Sequence, residues 1–169
     1  MRHTFTNPQR FVAGTIGQPG ERAFFIQARL ENRVVSVALE KAQVQAIASR
    51  LEIMISEVRK ANPLIQIEKL AQDDAPLETP VDEEFQVGAI SLAWDEDQKL
   101  IALELFELED DEEDPEGDVL EVYFSLGLAV LFANRAKALV NAGRIPCPFC
   151  GTPIDPRGHL CPRANGYRR

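Results

Sequence analysis

Three cysteines and two histidines are the only soft metal ligands in this 169-residue chain, and four of these five side chains fall within fifteen residues: Cys147, Cys150, His159 and Cys161. The order is C-x2-C, eight residues, then H-x-C. Two residues between the first cysteines let both thiolates face one ion from a tight knuckle, and the second pair closes a tetrahedron. Three thiolates and one imidazole suit zinc, and four protein ligands leave no open position for water or substrate. The expected cofactor is therefore a structural zinc ion. The competing chemistry is a redox pair at Cys147 and Cys150. Thiol oxidoreductases place that motif after a strand at the start of a helix, whereas here it follows a predicted helix and enters a proline-rich coil.

With His159 assigned to the metal, the only other histidine is His3, near an end expected to fray, so no base is available for a Ser-His-acid or Cys-His pair. Neither a G-x-x-x-x-G-K-[ST] loop nor a G-x-G-x-x-G turn occurs. Two strand glycines, Gly14 in FVAGTI and Gly88 in FQVGAI, are candidates for a groove, because a strand glycine marks either a bend or a close approach of a ligand. Arg10 and Arg22 flank the first of them and are expected within reach of an anion there, although strand-flanking charges look the same. Arg157, Arg163, Arg168 and Arg169 in the tail are candidate contacts for an anion or a partner.

Charge separates the two ends of the chain. The total is -9. From Arg144 onward five arginines face the single acid Asp155, a local charge of +4 that leaves -13 for residues 1–143. The net charge argues against a protein whose whole surface binds nucleic acid or anionic lipid, so any polyanion site must be local, and the asymmetry fits equally a phosphate or nucleic-acid contact surface in the tail and a basic tail resting on its own acidic body. No stretch approaches the roughly 20 apolar residues that span a bilayer, and no secretory leader is visible, so we expect a cytoplasmic protein with no membrane partner.

The elements that must position these residues follow from hydropathy. Strands are predicted at 10–16, 22–30 and 33–39, joined by a GQPGE turn and a tight Glu31-Asn32 turn, and a helix runs from Lys41 to a stop at Asn62-Pro63. A connector rich in proline and acids spans 63–84. Strands then resume at 85–94, 100–108 and 119–126, and a second helix covers 127–142. The order strand, strand, strand, helix thus occurs twice, in halves of about 1–62 and 85–143. Letters repeat with it: FVAGTI matches FQVGAI at an offset of 74, and VSVAL matches LEVYF at 85. We read an internal duplication. The segment 107–118, with nine carboxylates in twelve residues, lacks the ligand spacing of a calcium loop and reads as a solvated hairpin loop.

By the residues RFVAGTIGQPGERAFFIQAR, VVSVALEKAQV, EEFQVGAISLAWD and CPFCGTPIDPRGHLCPRANGYRR, the chain resembles an uncharacterised actinobacterial family known only as a domain of unknown function. The resemblance runs from end to end, and Cys147, Cys150, His159 and Cys161 stand where the family's C-terminal signature places them. It implies association with a trio of proteins that includes a histidine-phosphatase-like member. One departure is the helix start LGLAVLFANRA, more apolar than the family pattern, which points to a partner surface near Leu128 to Leu131.

These observations predict an α+β fold: an antiparallel sheet built from two pseudo-symmetric halves over 1–143, followed by a zinc knuckle and basic tail over 144–169. The function expected is a non-enzymatic binding or adaptor module with a protein partner. The alternatives are an enzyme or regulatory subunit working with a histidine-phosphatase-like partner, and a nucleic-acid-binding protein that uses the arginine tail. Protein purified without chelator is expected to carry one zinc per chain, with three thiols unreactive until chelation, and Cys147→Ser to unfold the tail alone. Metal near zero together with three freely titrating thiols would overturn the zinc assignment.

Overall fold

The computed structural model describes residues 1–18, 20–109 and 117–142. The knuckle residues and the tail arginines lie outside them, as does most of the acidic loop. Among the described residues the element order is β1 (Arg2–Thr6), β2 (Arg10–Ile16), β3 (Ala23–Leu30), β4 (Arg33–Leu39), α1 (Lys41–Ala61), β5 (Glu83–Asp95), β6 (Leu100–Glu107), β7 (Val119–Phe124) and α2 (Leu126–Asn141). The strands predicted from alternation and both predicted helices are present, and the fold is α+β.

The sheet is mixed rather than antiparallel, in the order β1-β7-β6-β5-β4-β3-β2. Its two hairpin meanders, β2-β3-β4 and β5-β6-β7, are antiparallel. The joints between them are not: β4 pairs with β5 in parallel, and β1 pairs with β7 in parallel. Hairpin turns are visible in a sequence, but a parallel joint depends on a crossover, here α1 and the connector 62–82, whose landing place no local pattern encodes. The end expected to fray is strand β1, and His3 stands opposite Leu120 within it.

β1 and β2 sit at opposite ends of the strand order, yet only Asn7, Pro8 and Gln9 separate them. So short a joint spans at most roughly 14 Å, so the sheet must roll until its edges meet. Asn7 turns the chain with φ 51° and donates its N–H to Tyr123 O at 2.8 Å; Gln9 N–H donates to Arg29 O at 2.9 Å. The joint thus carries the ladder from β7 across to β3.

The cross-strand register makes the repetition of the two halves measurable. Ile26↔Val37 in the first half corresponds to Leu103↔Val122 in the second, which places β3 and β6 at an offset of 77 and β4 and β7 at 85. Ala13↔Ile26 corresponds to Leu92↔Leu103, an offset of 79 for the first strand of each half. β1 and β2 together are therefore the counterpart of the single long β5. The offset of 74 read from FVAGTI and FQVGAI is out of this register by five residues, and Gly14 corresponds to Ala93, not Gly88. The offset of 85 holds through the helices. Glu40 and Ser125 are their N-caps, and the buried positions Val44, Ile47, Ala48, Leu51 and Ile55 recur as Ala129, Phe132, Ala133, Ala136 and Val140.

One core joins the halves. Phe11 of β2 stacks on Phe132 of α2 at 4.6 Å and lies 5.0 Å from Phe124 of β7. Ser125 Oγ accepts from Leu128 N–H at 3.2 Å and donates to Glu68 Oε1 at 2.5 Å, fixing the start of α2 to the connector. Gly127 makes this approach possible, since a Cβ there would stand 2.6 Å from the backbone oxygen of Glu68. Gly127→Ala is expected to lower stability by about 1–2 kcal/mol, because overpacking against backbone outweighs the gain of about 1 kcal/mol in helix propensity. Thermal melting checks this, and a raised melting temperature would show that the connector yields.

Candidate functional site: an arginine cleft beneath the connector

The connector crosses the outer face of β2, β3 and β4. Leu77 fills the space over Gly14, and a Cβ on Gly14 would meet its side chain at 2.4 Å. The Gln27 amide clasps the backbone of Glu78 in both directions: Glu78 N–H donates to Oε1 at 2.9 Å, and Nε2 donates to Glu78 O at 3.1 Å. Gln27 also donates to Ser36 Oγ at 3.0 Å, and both side chains are buried. A buried amide satisfied in this way fixes the connector's register.

Asp73 lies where the connector passes between β2 and α2. Arg10 Nε donates to its Oδ2 at 2.6 Å and Nη2 to Oδ1 at 3.2 Å; Nη2 also reaches Ala75 O and Pro76 O. Arg135, from α2, donates through Nε to Ala13 O at 2.7 Å and through Nη1 to Asp73 O at 2.6 Å, with Nη1 3.6 Å from Oδ1. The two arginine side chains are only 11% and 12% exposed. The hydrogen bond from Arg10, above all, holds the Asp73 carboxyl below the ordinary aspartate range; partial burial opposes this, while the Ala75 N–H and the charge of Arg135 reinforce it. Desolvation first, and then the charge of Arg10, lowers Arg135, with the charges of Asp73 and Asp74 offsetting part of it. Two guanidiniums thus share the Asp73 carboxylate, with the charge of the neighbouring Asp74 also acting on Arg135.

Beside this cluster opens a cleft of about 260 Å³, with Phe11, Leu128, Leu131 and Phe132 as its apolar wall and Arg10, Asp73 and Arg135 as its polar one. Arg10 Nη1 and Arg135 Nη2 make no hydrogen bond to the described residues. Leu128 and Leu131, singled out by the apolar start of their helix, belong to this wall. The arrangement offers two planar donors and an apolar surface, which suits an anionic head on a small apolar body.

The groove expected between Gly14 and Gly88 is not brought together. Their strands are separated by β3 and β4, about 14 Å of sheet, and Leu108 backbone lies 3.0 Å from a Cβ built on Gly88. Arg22, also expected near an anion, caps α2 instead, donating to Leu139 O at 3.1 Å and Ala142 O at 2.9 Å. Sequence reasoning missed Asp73 and Arg135. Asp73 is one acid among many in a proline-rich connector, and no motif in the sequence singles out Arg135. Among the described residues, one group of possible metal ligands, His3, Glu84 and Asp118, has its donor atoms within 4.8 Å of one another. Asp118 there already accepts from the Met1 ammonium at 3.0 Å, which holds its carboxyl low.

The sequence profile of DUF3090, a protein of unknown function, matches residues 3–161. The chain belongs to the DUF3090 family. That match covers both halves of the DUF3090 sheet, the connector, and the segment through Cys161. No curated protein and no solved structure matches it. Among the described residues no helix is long and apolar enough to cross a membrane.

Because the folded Asp73 carboxyl is held low, its contribution to stability is complete above the unfolded value of about 4 and is lost as pH falls through the depressed folded value. Asp73→Asn is therefore expected to be less stable than the parent by a constant amount above about pH 5, with the difference narrowing below about pH 4. Urea unfolding across that range measures it, and a difference that widened on acidification would contradict the assignment.

Proposed function

We propose that this protein is a non-enzymatic binding module that captures an anionic group, a phosphate or carboxylate, in the cleft between the connector and α2. The observation that carries this reading is that Arg10 and Arg135 share the Asp73 carboxylate and still leave an η-nitrogen of each without a described hydrogen bond beside an apolar wall. An anion there would accept from both in a partly desolvated setting, where charge-assisted hydrogen bonds are stronger than in bulk water. Asp73 is occupied in holding the connector and is kept ionised, so it serves as an anchor rather than as an acid.

Cys147, Cys150, His159 and Cys161 complete the reading as a zinc knuckle that shapes the segment after α2. Its support is the ligand spacing and the family match, which extends through Cys161. The nucleic-acid reading rests on Arg157, Arg163, Arg168 and Arg169, which lie outside the described residues. A protein partner presenting a phosphate or carboxylate fits the cleft directly.

Phenyl phosphate is expected to bind the full chain with a Kd of about 1 mM, and inorganic phosphate at least tenfold more weakly for want of the apolar wall. Leu131→Asp, which leaves both arginines in place and sets a carboxylate in the wall, should weaken phenyl phosphate at least tenfold while leaving the melting temperature within about 2 °C of the parent. Calorimetric titration reads both affinities, and a thermal melt reads the stability. Equal affinity for the two phosphates, or no effect of Leu131→Asp, would overturn the assignment of the cleft.

A further inference from the structure

In β1, His3 precedes buried Phe5 by two residues, and just before β7, Asp118 precedes buried Leu120 by two. Strand alternation therefore sets both side chains toward the core, at the end of the sheet where β1 and β7 begin. The pairs Arg2↔Val119 and His3↔Leu120 make these two starts neighbours. Asp118 is held on both sides of its backbone, since its O accepts from Glu107 N–H and its N–H donates to Glu107 Oε2, each at 2.8 Å. The start of β5 supplies a third ligand type, Glu84. His3 Nε2 and one oxygen of each carboxylate lie within 4.8 Å of one another, although positions 3, 84 and 118 form no motif in the sequence.

His3 is the anomaly in this group. Its side chain is 11% exposed, and its Nε2 is buried with no hydrogen-bond partner among the described residues. Asp118 Oδ2 is the nearest acid oxygen recorded for it, at 3.7 Å, too far to accept a hydrogen bond. A buried polar atom left in this state calls for a bound water or ion. The spacing favours an ion, because two ligands about 2.1 Å from a tetrahedral centre stand about 3.4 Å apart. The Met1 ammonium donates to Asp118 Oδ1 at 3.0 Å and leaves Oδ2 toward His3. Ligating carboxylates are oriented in this way, by a hydrogen bond to the oxygen that does not face the metal. The Glu84 carboxylate is exposed and makes no hydrogen bond or ion pair with the described residues, so it can close on an ion without giving up another partner.

We propose that His3 Nε2, Asp118 Oδ2 and the Glu84 carboxylate bind a divalent cation of the first transition row. One imidazole with two carboxylates is a donor set for ions such as Zn²⁺ and Mn²⁺, and it holds no thiolate to select zinc alone. Three protein ligands leave positions for water or an incoming ligand, unlike the closed set of four expected at Cys147, Cys150, His159 and Cys161. The site uses no residue of the anion cleft and none of the knuckle segment.

Equilibrium dialysis of the full chain against submillimolar Mn²⁺, followed by elemental analysis, tests this. The parent should hold one divalent ion per chain, Mn²⁺ or a tighter first-row ion carried through purification, beyond what Glu84→Gln and His3→Gln hold. Zinc bound by the knuckle is the same in all three and cancels in the difference. Glu84→Gln should lose the ion with its melting temperature unchanged when both proteins are melted with chelator, because its carboxylate supports no other described contact. Glu109→Gln removes a carboxylate beside Asp118 but outside the three ligands, and it should keep the ion. Equal metal content in the parent and both ligand variants would leave His3 to a bound water and overturn the site. A loss as large in Glu109→Gln as in Glu84→Gln would overturn it too, giving the ion to the acidic surface at large.

Discussion

Asp73 sits between two guanidiniums, and that ion cluster decides where the connector lies. The connector in turn makes a two-sided core out of a sheet that would otherwise be buried on one side. With Leu77 over Gly14 and Glu78 on Gln27, the strands β2, β3 and β4 are buried on both faces, so their sequences read as nearly continuous apolar runs. Breaking one partner of a partly buried ion cluster leaves an uncompensated charge, a larger loss than the net worth of the pair. The same arrangement sets the two guanidiniums beside an apolar wall, so the proposed anion site rests on the interaction that holds the connector.

The arrangement is lopsided about its two halves. Two meanders, each followed by a helix, share a core through Phe11, Phe124 and Phe132, and their helices start and bury residues in register at an offset of 85. The segments that leave the two helices differ. After α1 comes a connector with Asp73 in reach of arginines from both halves; after α2 comes a cysteine-containing basic segment. The outer faces differ as well, neutral and small beneath the connector, acidic on β6 and β7.

Much of this was legible in the sequence. Alternation and turn residues located the strands from Arg10 to Phe124, and apolar spacing with the Asn62-Pro63 stop bounded α1. The register shared by β4 and β7 was visible in VSVAL and LEVYF because core-facing strand residues and helix starts are constrained together. It misled in FVAGTI and FQVGAI, where a shared glycine and phenylalanine outweighed a register that only cross-strand pairing reveals. β1 escaped because RHTFT is polar and short, and it becomes a strand through parallel pairing with β7, over a hundred residues away. The cleft was half legible: Leu128 and Leu131 stood out by their apolar helix start, but the partnership of Arg10, Asp73 and Arg135 exists only once the connector has crossed the sheet.

The central claim is that Arg10 and Arg135 are held fast by the connector and still present free donors to an anion. Nitrogen-15 NMR of the arginine Nε–H groups in the full chain tests it most directly. The account predicts slowly exchanging signals for Arg10 and Arg135, set apart from those of exposed arginines, that shift together as phenyl phosphate is added. Signals that exchange as rapidly as exposed arginines, or that stay fixed throughout the titration, would contradict it.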